Sequence, residues 1–380
     1  MNRSRMTGTL ANFLAALLCV LSFVGSAAWA APFAYVANND GNSVSVIDTS
    51  TNTVTTTIGV SAPFGVAVRP DGKYVYATNY LSSSMSVIDA STNSIVATVT
   101  GLGGNPLGIA ITPNGTRAYV TNYRGNSVSV VDTGTNMVVA TVTNLDPVNG
   151  SFPNWPAATP DGTRVYVPNC HQLNYNLNNT VAVIDTSTNI VTAVITVPGL
   201  CPGHVVISPD SARAYVTTCT GSCDGGAQGL LSTIDTATNT VIASLGVGNG
   251  VNGVALSPDG SRAYVANSGD NTVSVVDTAS NSVINTITGL GNMSVEIAVT
   301  PDGTKAYVGN NASNTVSVID TASNAIVATV PVGAAPLGIA ITPLPLPPTP
   351  KTKQDCMNQG WIKFGFRNQG QCIQFVQTGK

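Results

Sequence analysis

Gly108-Ile109-Ala110-Ile111-Thr112-Pro113-Asn114-Gly115-Thr116-Arg117-Ala118-Tyr119-Val120-Thr121-Asn122 leads into Ser127-Val128-Ser129-Val130-Val131-Asp132 and, past a Thr133-Gly134-Thr135-Asn136 turn, into Val138-Val139-Ala140-Thr141-Val142. The stretch holds four short runs rich in Val, Ile, Thr and Tyr, the residues that fit a pleated, half-buried surface. Between them stand Pro, Asn, Gly, Asp and Thr, which turn the chain through a fixed φ, a positive φ or a local side-chain bond. The unit recurs. Its Tyr returns at Tyr35, Tyr76, Tyr119, Tyr166, Tyr215, Tyr264 and Tyr307, and its closing Asp at Asp48, Asp89, Asp132, Asp185, Asp235, Asp277 and Asp320, so both series count seven. Four strands in a unit of 40 to 50 residues are the signature of a β-propeller blade.

With the strands of a blade lettered a to d from the axis outward, the first repeat begins at strand b, Ala34-Tyr35-Val36, with no strand a before it. The missing strand stands at the other end, as Leu337-Gly338-Ile339-Ala340-Ile341-Thr342-Pro343. The expected fold is therefore all-β: a seven-bladed propeller over residues 31–343, closed by a C-terminal strand a that completes the N-terminal blade. Closure removes the open edges that invite aggregation. An open β-solenoid is the architectural alternative, but it does not call for an end strand matching the gap at the start.

Ala118-Tyr119-Val120-Thr121-Asn122, with Tyr35-Val36-Ala37-Asn38, Tyr76-Ala77-Thr78-Asn79 and Tyr264-Val265-Ala266-Asn267, resembles the YVTN-type β-propeller repeat. That family includes exported bacterial and archaeal surface-layer proteins, and the resemblance implies an exported propeller that acts as a binding platform.

Of the 380 residues 9% are charged and 43% hydrophobic, against about 25% charged in an ordinary soluble domain. The net charge of -3 speaks against nucleic acid as a partner, since phosphate binding needs clustered Lys and Arg. Arg3 and Arg5, an apolar run from Leu10 to Val24, and Ala28-Trp29-Ala30 have the order of a secretory signal peptide, 1–30, too short to be read as a membrane anchor. The mature chain is then expected in the periplasm, at the cell surface or outside the cell, with no transmembrane segment. Residues 344–350 read as a Pro-rich linker. Residues 351–380 form a separate unit that resembles small Cys-paired tails of exported bacterial proteins and needs a Cys356–Cys372 staple. Without Arg3 and Arg5 the chain carries -5, made up of +4 on the tail and -9 on the ring.

Strand alternation puts the d-to-a and b-to-c loops on one face, the top. The Tyr-to-Asp interval is 13 residues in five blades but 19 in blade four and 20 in blade five, so the top loops there are enlarged. They carry Cys170, His171, Tyr175, Cys219, Cys223 and Asp224, and Cys201 lies in the next d-to-a loop. Cys170-His171 with Cys219 and Cys223 could ligate zinc or copper. In an oxidising compartment the simpler expectation is two disulfides, Cys170–Cys201 and Cys219–Cys223, with no metal assigned. No cofactor is expected either, since no Cys-x-x-Cys-His is present for covalent haem.

Aligned on the Pro that ends each strand a, the residue five places earlier is Gly65, Gly108, Trp155, His204, Gly253, Glu296 and Gly338. Gly is expected where backbones crowd at the axis. The exceptions are a large aromatic, one of two histidines and the sole glutamate of the chain. They are candidates for a ligand site at the top mouth of the channel, with His171 and Tyr175 contributing from the loop. The structural alternative is that longer loops merely relieve the crowding there.

Two segments also resemble lactonase-type seven-bladed propellers: Pro202-Gly203-His204-Val205-Val206-Ile207-Ser208-Pro209-Asp210 is similar to that family's inner-strand His motif, and Ser294-Val295-Glu296-Ile297-Ala298-Val299-Thr300-Pro301 to its Glu motif. The resemblance implies hydrolysis with His204 as general base and Glu296 as acid or orienting group. Here the motifs stand two blades apart instead of on successive blades, and no Arg accompanies them near the channel. The leading expectation is accordingly a binding or scaffold module for an unidentified ligand or protein at the top face, and not an enzyme. A lactonase-like hydrolase is one alternative. The other is an envelope protein whose basic tail holds acidic wall polymers.

Overall fold

The computed structural model describes residues 32–146, 152–170, 179–221, 226–344, 353–357 and 369–378. The signal-peptide segment, His171, Tyr175, Cys223 and Asp224 lie outside these residues, and with Cys223 so does the expected Cys219–Cys223 bridge. Among the described residues no helix is long and apolar enough to cross a membrane. The chain divides into the unit Ala30–Leu346 and a second one that includes Pro347–Lys380. Within the latter, Cys356 and Cys372 are bridged, and Gln369–Thr378 is helical.

Ala30–Leu346 is built of seven four-stranded antiparallel sheets. The first blade has the order Pro336–Ile341, Phe33–Asn38, Ser43–Asp48, Thr53–Gly59, so the C-terminal strand is its innermost member. The closing register pairs Ala34 with Ile341, Tyr35 with Ala340 and Val36 with Ile339. Strands b and c are buried throughout, while strand d alternates exposed and half-buried positions, as in Thr53–Gly59. Two fully covered strands per blade explain how so few charges suffice.

The repeated residues each have a task. Asp48, Asp89, Asp132, Asp185 and Asp235 accept backbone N–H bonds from the residues two and three positions on; at Asp89 and Asp185 the hydroxyls of Ser91 and Ser187, and then these backbone bonds, lower the carboxyl pKa. The Asn ending the same turn adopts positive φ, as at Asn52, Asn93, Asn189 and Asn239, a conformation Asn tolerates better than most residues. Its side-chain oxygen accepts the hydroxyl of the preceding blade's buried Tyr: Tyr35 to Asn93 at 2.7 Å, Tyr119 to Asn189 at 2.8 Å, Tyr166 to Asn239 at 3.0 Å. Tyr307 to Asn52, 2.7 Å, is the same staple carried across the ring closure. Asn38, Asn79, Asn122, Asn267 and Asn310 are buried and donate through Nδ2 to Ser or Thr hydroxyls of strand c, whereas Asn169 in blade four donates to the Leu145 carbonyl.

At the axis the glycines are required by contact. A Cβ at Gly65 would stand 2.3 Å from the Leu107 carbonyl oxygen, at Gly338 2.5 Å from that of Phe64, and at Gly108 2.8 Å from Trp155 Cα. Each innermost strand thus presses its backbone on the next.

Removing the closure staple is expected to loosen the ring by the worth of one buried hydrogen bond. Tyr307→Phe should lower the unfolding free energy by about 1 kcal/mol in a urea titration with unchanged m-value, and an unaltered midpoint would show that the contact contributes nothing.

Candidate functional site

Blades four and five depart from the pattern at the axis. Their innermost strands are Ala157–Ala158 and Val205–Ile207, of two and three residues, where the other five have six. Trp155 and His204 lie just above these short strands and form an isolated bridge with each other, Trp155 N–H donating to the Gly203 carbonyl at 3.2 Å. Their rings stack, with centroids 4.3 Å apart and planes inclined by 21°.

Trp155, His204 and Glu296 line one cavity of about 430 Å³ in the channel, with Val66, Ile109, Val254 and Ile339 among its other walls. The separation of the His and Glu motifs by a whole blade does not keep the side chains apart: His204 Nδ1 is 3.3 Å from Glu296 Oε2. The intervening blade presents Gly253, where a Cβ would fall 2.7 Å from the Val295 carbonyl oxygen and 2.9 Å from Glu296 Cα. Its missing side chain lets the backbones of blades six and seven pack together there.

Burial sets the charge state. It pushes the His204 pKa down to about 3, against a small opposing effect of the nearby Asn252 side chain. It raises the Glu296 pKa well above the usual carboxyl value, a hydrogen bond from the Ile297 backbone opposing. Both shifts favour the uncharged form of the group, because burial strips the water that would stabilise a charge. His204 Nε2 and Glu296 Oε2 are both sealed from solvent, but 12% of the Glu296 side chain stays exposed against 4% for His204. Glu296 is thus the member of the pair that faces the cavity.

Cys170 and Cys201 are bridged, with Cα atoms 4.2 Å apart, and Cys219 is buried. Among the described residues no cluster of His, Cys, Asp and Glu could hold a metal ion. An aromatic run continues outward from Trp155: Phe64 at 5.3 Å and, beyond it, Tyr80 at 5.2 Å. Phe64 and Asn252 escaped the sequence reading, although the signal lay one column away. The residue before each aligned axial position is Phe64, Leu107, Asn154, Gly203, Asn252, Val295 or Leu337, in which Phe64 is the one aromatic.

The buried carboxyl makes a pH prediction. An unfolded chain ionises Glu296 at the ordinary carboxyl value, whereas burial raises that pKa in the folded chain. Between the two pKa values the folded state binds more protons at this group, so its contribution to stability falls as pH rises toward the raised pKa, by up to about 1.4 kcal/mol per pH unit. Glu296→Gln should abolish that part of the slope in denaturant titrations run upward from the ordinary carboxyl range. An identical slope in both proteins would mean that the carboxyl is ionised when folded.

Residues 34–330 match the family described as lactonase, 7-bladed β-propeller. No curated protein matches the chain. Among solved structures, a chain of Kuenenia stuttgartiensis hydrazine synthase is similar at 22% identity and TM-score 0.66, over 75% of this chain and 90% of that one. A functionally unknown protein of Desulfotomaculum acetoxidans DSM 771 is similar at 19% identity and TM-score 0.69, over 82% of this chain and 99% of that one. A Bacteroides fragilis NCTC 9343 protein titled a "putative 6-phosphogluconolactonase" is similar at 18% identity and TM-score 0.65, over 82% and 98% of the two chains. At such identities these structures speak to the fold alone. The family match spans most of the ring, from strand b of the first blade to the last strand d, and by it the chain belongs to the lactonase, seven-bladed β-propeller family.

Proposed function

We propose that the protein hydrolyses an uncharged lactone at the channel cavity, with Glu296 as the acid–base group and His204 as the residue that positions it. The observation that carries this reading is the neutral His204–Glu296 pair, 3.3 Å apart, on the wall of a cavity of about 430 Å³. Family membership supports it. The residues lining the cavity include no Lys or Arg, so nothing there would select a phosphorylated substrate.

The chemistry follows from where the proton sits. Transfer of the Glu296 proton to His204 Nδ1 yields a carboxylate beside an imidazolium without changing the net charge of the buried pair. The carboxylate can then take a proton from a water whose oxygen adds to the lactone carbonyl carbon. As the ring C–O bond breaks, Glu296 returns that proton to the leaving ring oxygen, and the imidazolium gives its own back to the pair. The product is the open hydroxy acid. A carboxyl with a raised pKa suits both halves of the cycle, being neither too weak an acid nor too weak a base near neutrality. These roles reverse the simplest assignment, His204 as base, because Glu296 is the more exposed of the two.

A binding module that holds a ring-shaped ligand without turning it over is the second reading, favoured by the run Trp155, Phe64, Tyr80 at the cavity's edge. Export, with 1–30 as a signal peptide and the tail 351–380 available to acidic wall polymers, belongs to the proposal under either reading.

A panel of neutral and phosphorylated lactones, followed by release of acid, tests the activity. Wild type should turn over neutral lactones in preference, and Glu296→Gln should lower kcat by about 100-fold or more. Turnover insensitive to Glu296→Gln refutes the assignment; binding without turnover in wild type establishes the second reading instead. Gly253→Ala puts a methyl group against Val295 O and Glu296 Cα, and should lower the unfolding midpoint together with kcat.

A further inference from the structure

In five blades the axial position lies inside a six-residue innermost strand, whose first residue pairs with the Asn that ends strand b: Pro63 with Asn79, Pro106 with Asn122, Ser294 with Asn310. Blade four lacks that ladder at Trp155, and in blade five it is shortened but still holds His204, with Gly203 N–H donating to the Thr217 carbonyl at 3.0 Å, Thr217 N–H to the His204 carbonyl at 3.1 Å and His204 N–H to Thr217 Oγ1 at 3.1 Å. Isolated bridges are added, Pro153 with Asn169 and Leu200 with Cys219. Two cross-links then join the segments that carry the two side chains. One is covalent, Cys170 to Cys201. The other runs through Asn154, whose backbone N–H donates to the Pro168 carbonyl at 2.9 Å and whose Nδ2 donates to the Pro202 carbonyl at 3.0 Å. Cys170 N–H also donates to the Phe152 carbonyl at 3.1 Å, and Gly203 O accepts Trp155 N–H.

The result is a closed circuit, 152–155 to 168–170 to 201–204 and back, with the disulfide as its one covalent step. Cys201 holds φ at 50°, the left-handed region that a non-glycine residue enters only when its surroundings impose it. From it Pro202 and Gly203 lead directly to His204.

We propose that the Cys170–Cys201 disulfide is the positioning element of the site, adding a covalent tie where the innermost strands are shortened and holding the His204 ring between Trp155 and Glu296. It rests on the preceding reading only in calling this pair the working one. Opening the bridge releases the loop that ends in His204, so the imidazole loses its stacking partner and gains access to water while the seven sheets stay intact. An oxidising compartment would then be a condition for an assembled site as well as for stability.

The chain has two histidines, His171 and His204, so NMR of the full chain labelled with ¹⁵N-histidine resolves the effect, with His171→Gln assigning the signals. In wild type His204 should not titrate between pH 5 and 8. In Cys170→Ala/Cys201→Ala it should, with its apparent pKa displaced upward by one unit or more toward that of an exposed imidazole, about 6.5. Cys356→Ala/Cys372→Ala, which opens the other bridge, should leave it silent. If the first double variant does not fold, wild type treated with a phosphine under native conditions gives the same reading. There the disulfide becomes two thiols, and the phosphine takes up oxygen from water as its oxide. A His204 signal unchanged with the bridge open overturns the proposal. A wild type that hydrolyses no lactone but whose His204 responds to bridge opening leaves it standing and removes only the hydrolase reading.

Discussion

The ring rests on one steric condition: seven innermost strands converge on an axis with no room for side chains where they touch. The 2.3 Å that would separate a Gly65 Cβ from the Leu107 carbonyl oxygen is far inside van der Waals contact, so glycine there is a condition of closure. Everything outside the axis has more freedom. Strands b and c pack their Val, Ile and Tyr at interior density, and the Tyr hydroxyls, led into apolar surroundings, each need a partner. At Tyr35, Tyr119, Tyr166 and Tyr307 the Asn of the neighbouring blade's turn supplies it, while Tyr76 uses the Thr133 carbonyl, and because that Asn also tolerates positive φ, one residue there turns the chain and ties two blades.

The site is what happens where the steric condition is relaxed. Shortening two innermost strands to Ala157–Ala158 and Val205–Ile207 frees the backbone from the crowded ladder and makes space for Trp155 and His204. The relaxation has a cost, since backbone that leaves a ladder must find other partners. Asn154, the isolated bridges and the Cys170–Cys201 link provide them. Longer loops and a larger axial side chain are thus two aspects of one change, and the loop reading and the site reading are compatible.

Most of the architecture was legible because it is periodic. Tyr and Asp recurring seven times gave the blade number, and a first repeat without strand a matched a last one with nothing else. The axial column singled out Trp155, His204 and Glu296 by the same periodicity. The contact between His204 and Glu296 was not legible, because alignment compares equivalent positions and says nothing of reach across the channel. The contact joins two side chains 92 positions apart in the sequence, on blades five and seven. Asn252 and Phe64 were missed for a related reason: they occupy a column whose side chains vary from blade to blade, so no break in a pattern marks them.

The charge deficit of the chain bears on the chemistry. A channel walled by strands without Lys, Arg or Asp offers no counter-ion to a buried carboxylate, and Glu296 responds as an isolated group should, by keeping its proton. His204 responds in the opposite sense for the same reason. Had the pair stood near one of the blade-turn Asp residues or the Arg that alternate with them on the bottom face, one member would have been driven into its charged form. A salt bridge of that kind would hold its proton on one side. In an apolar surrounding neither charged form is favoured, so the apolarity that makes the ring easy to bury is also what shifts the pKa values of its one glutamate and the facing histidine in opposite directions.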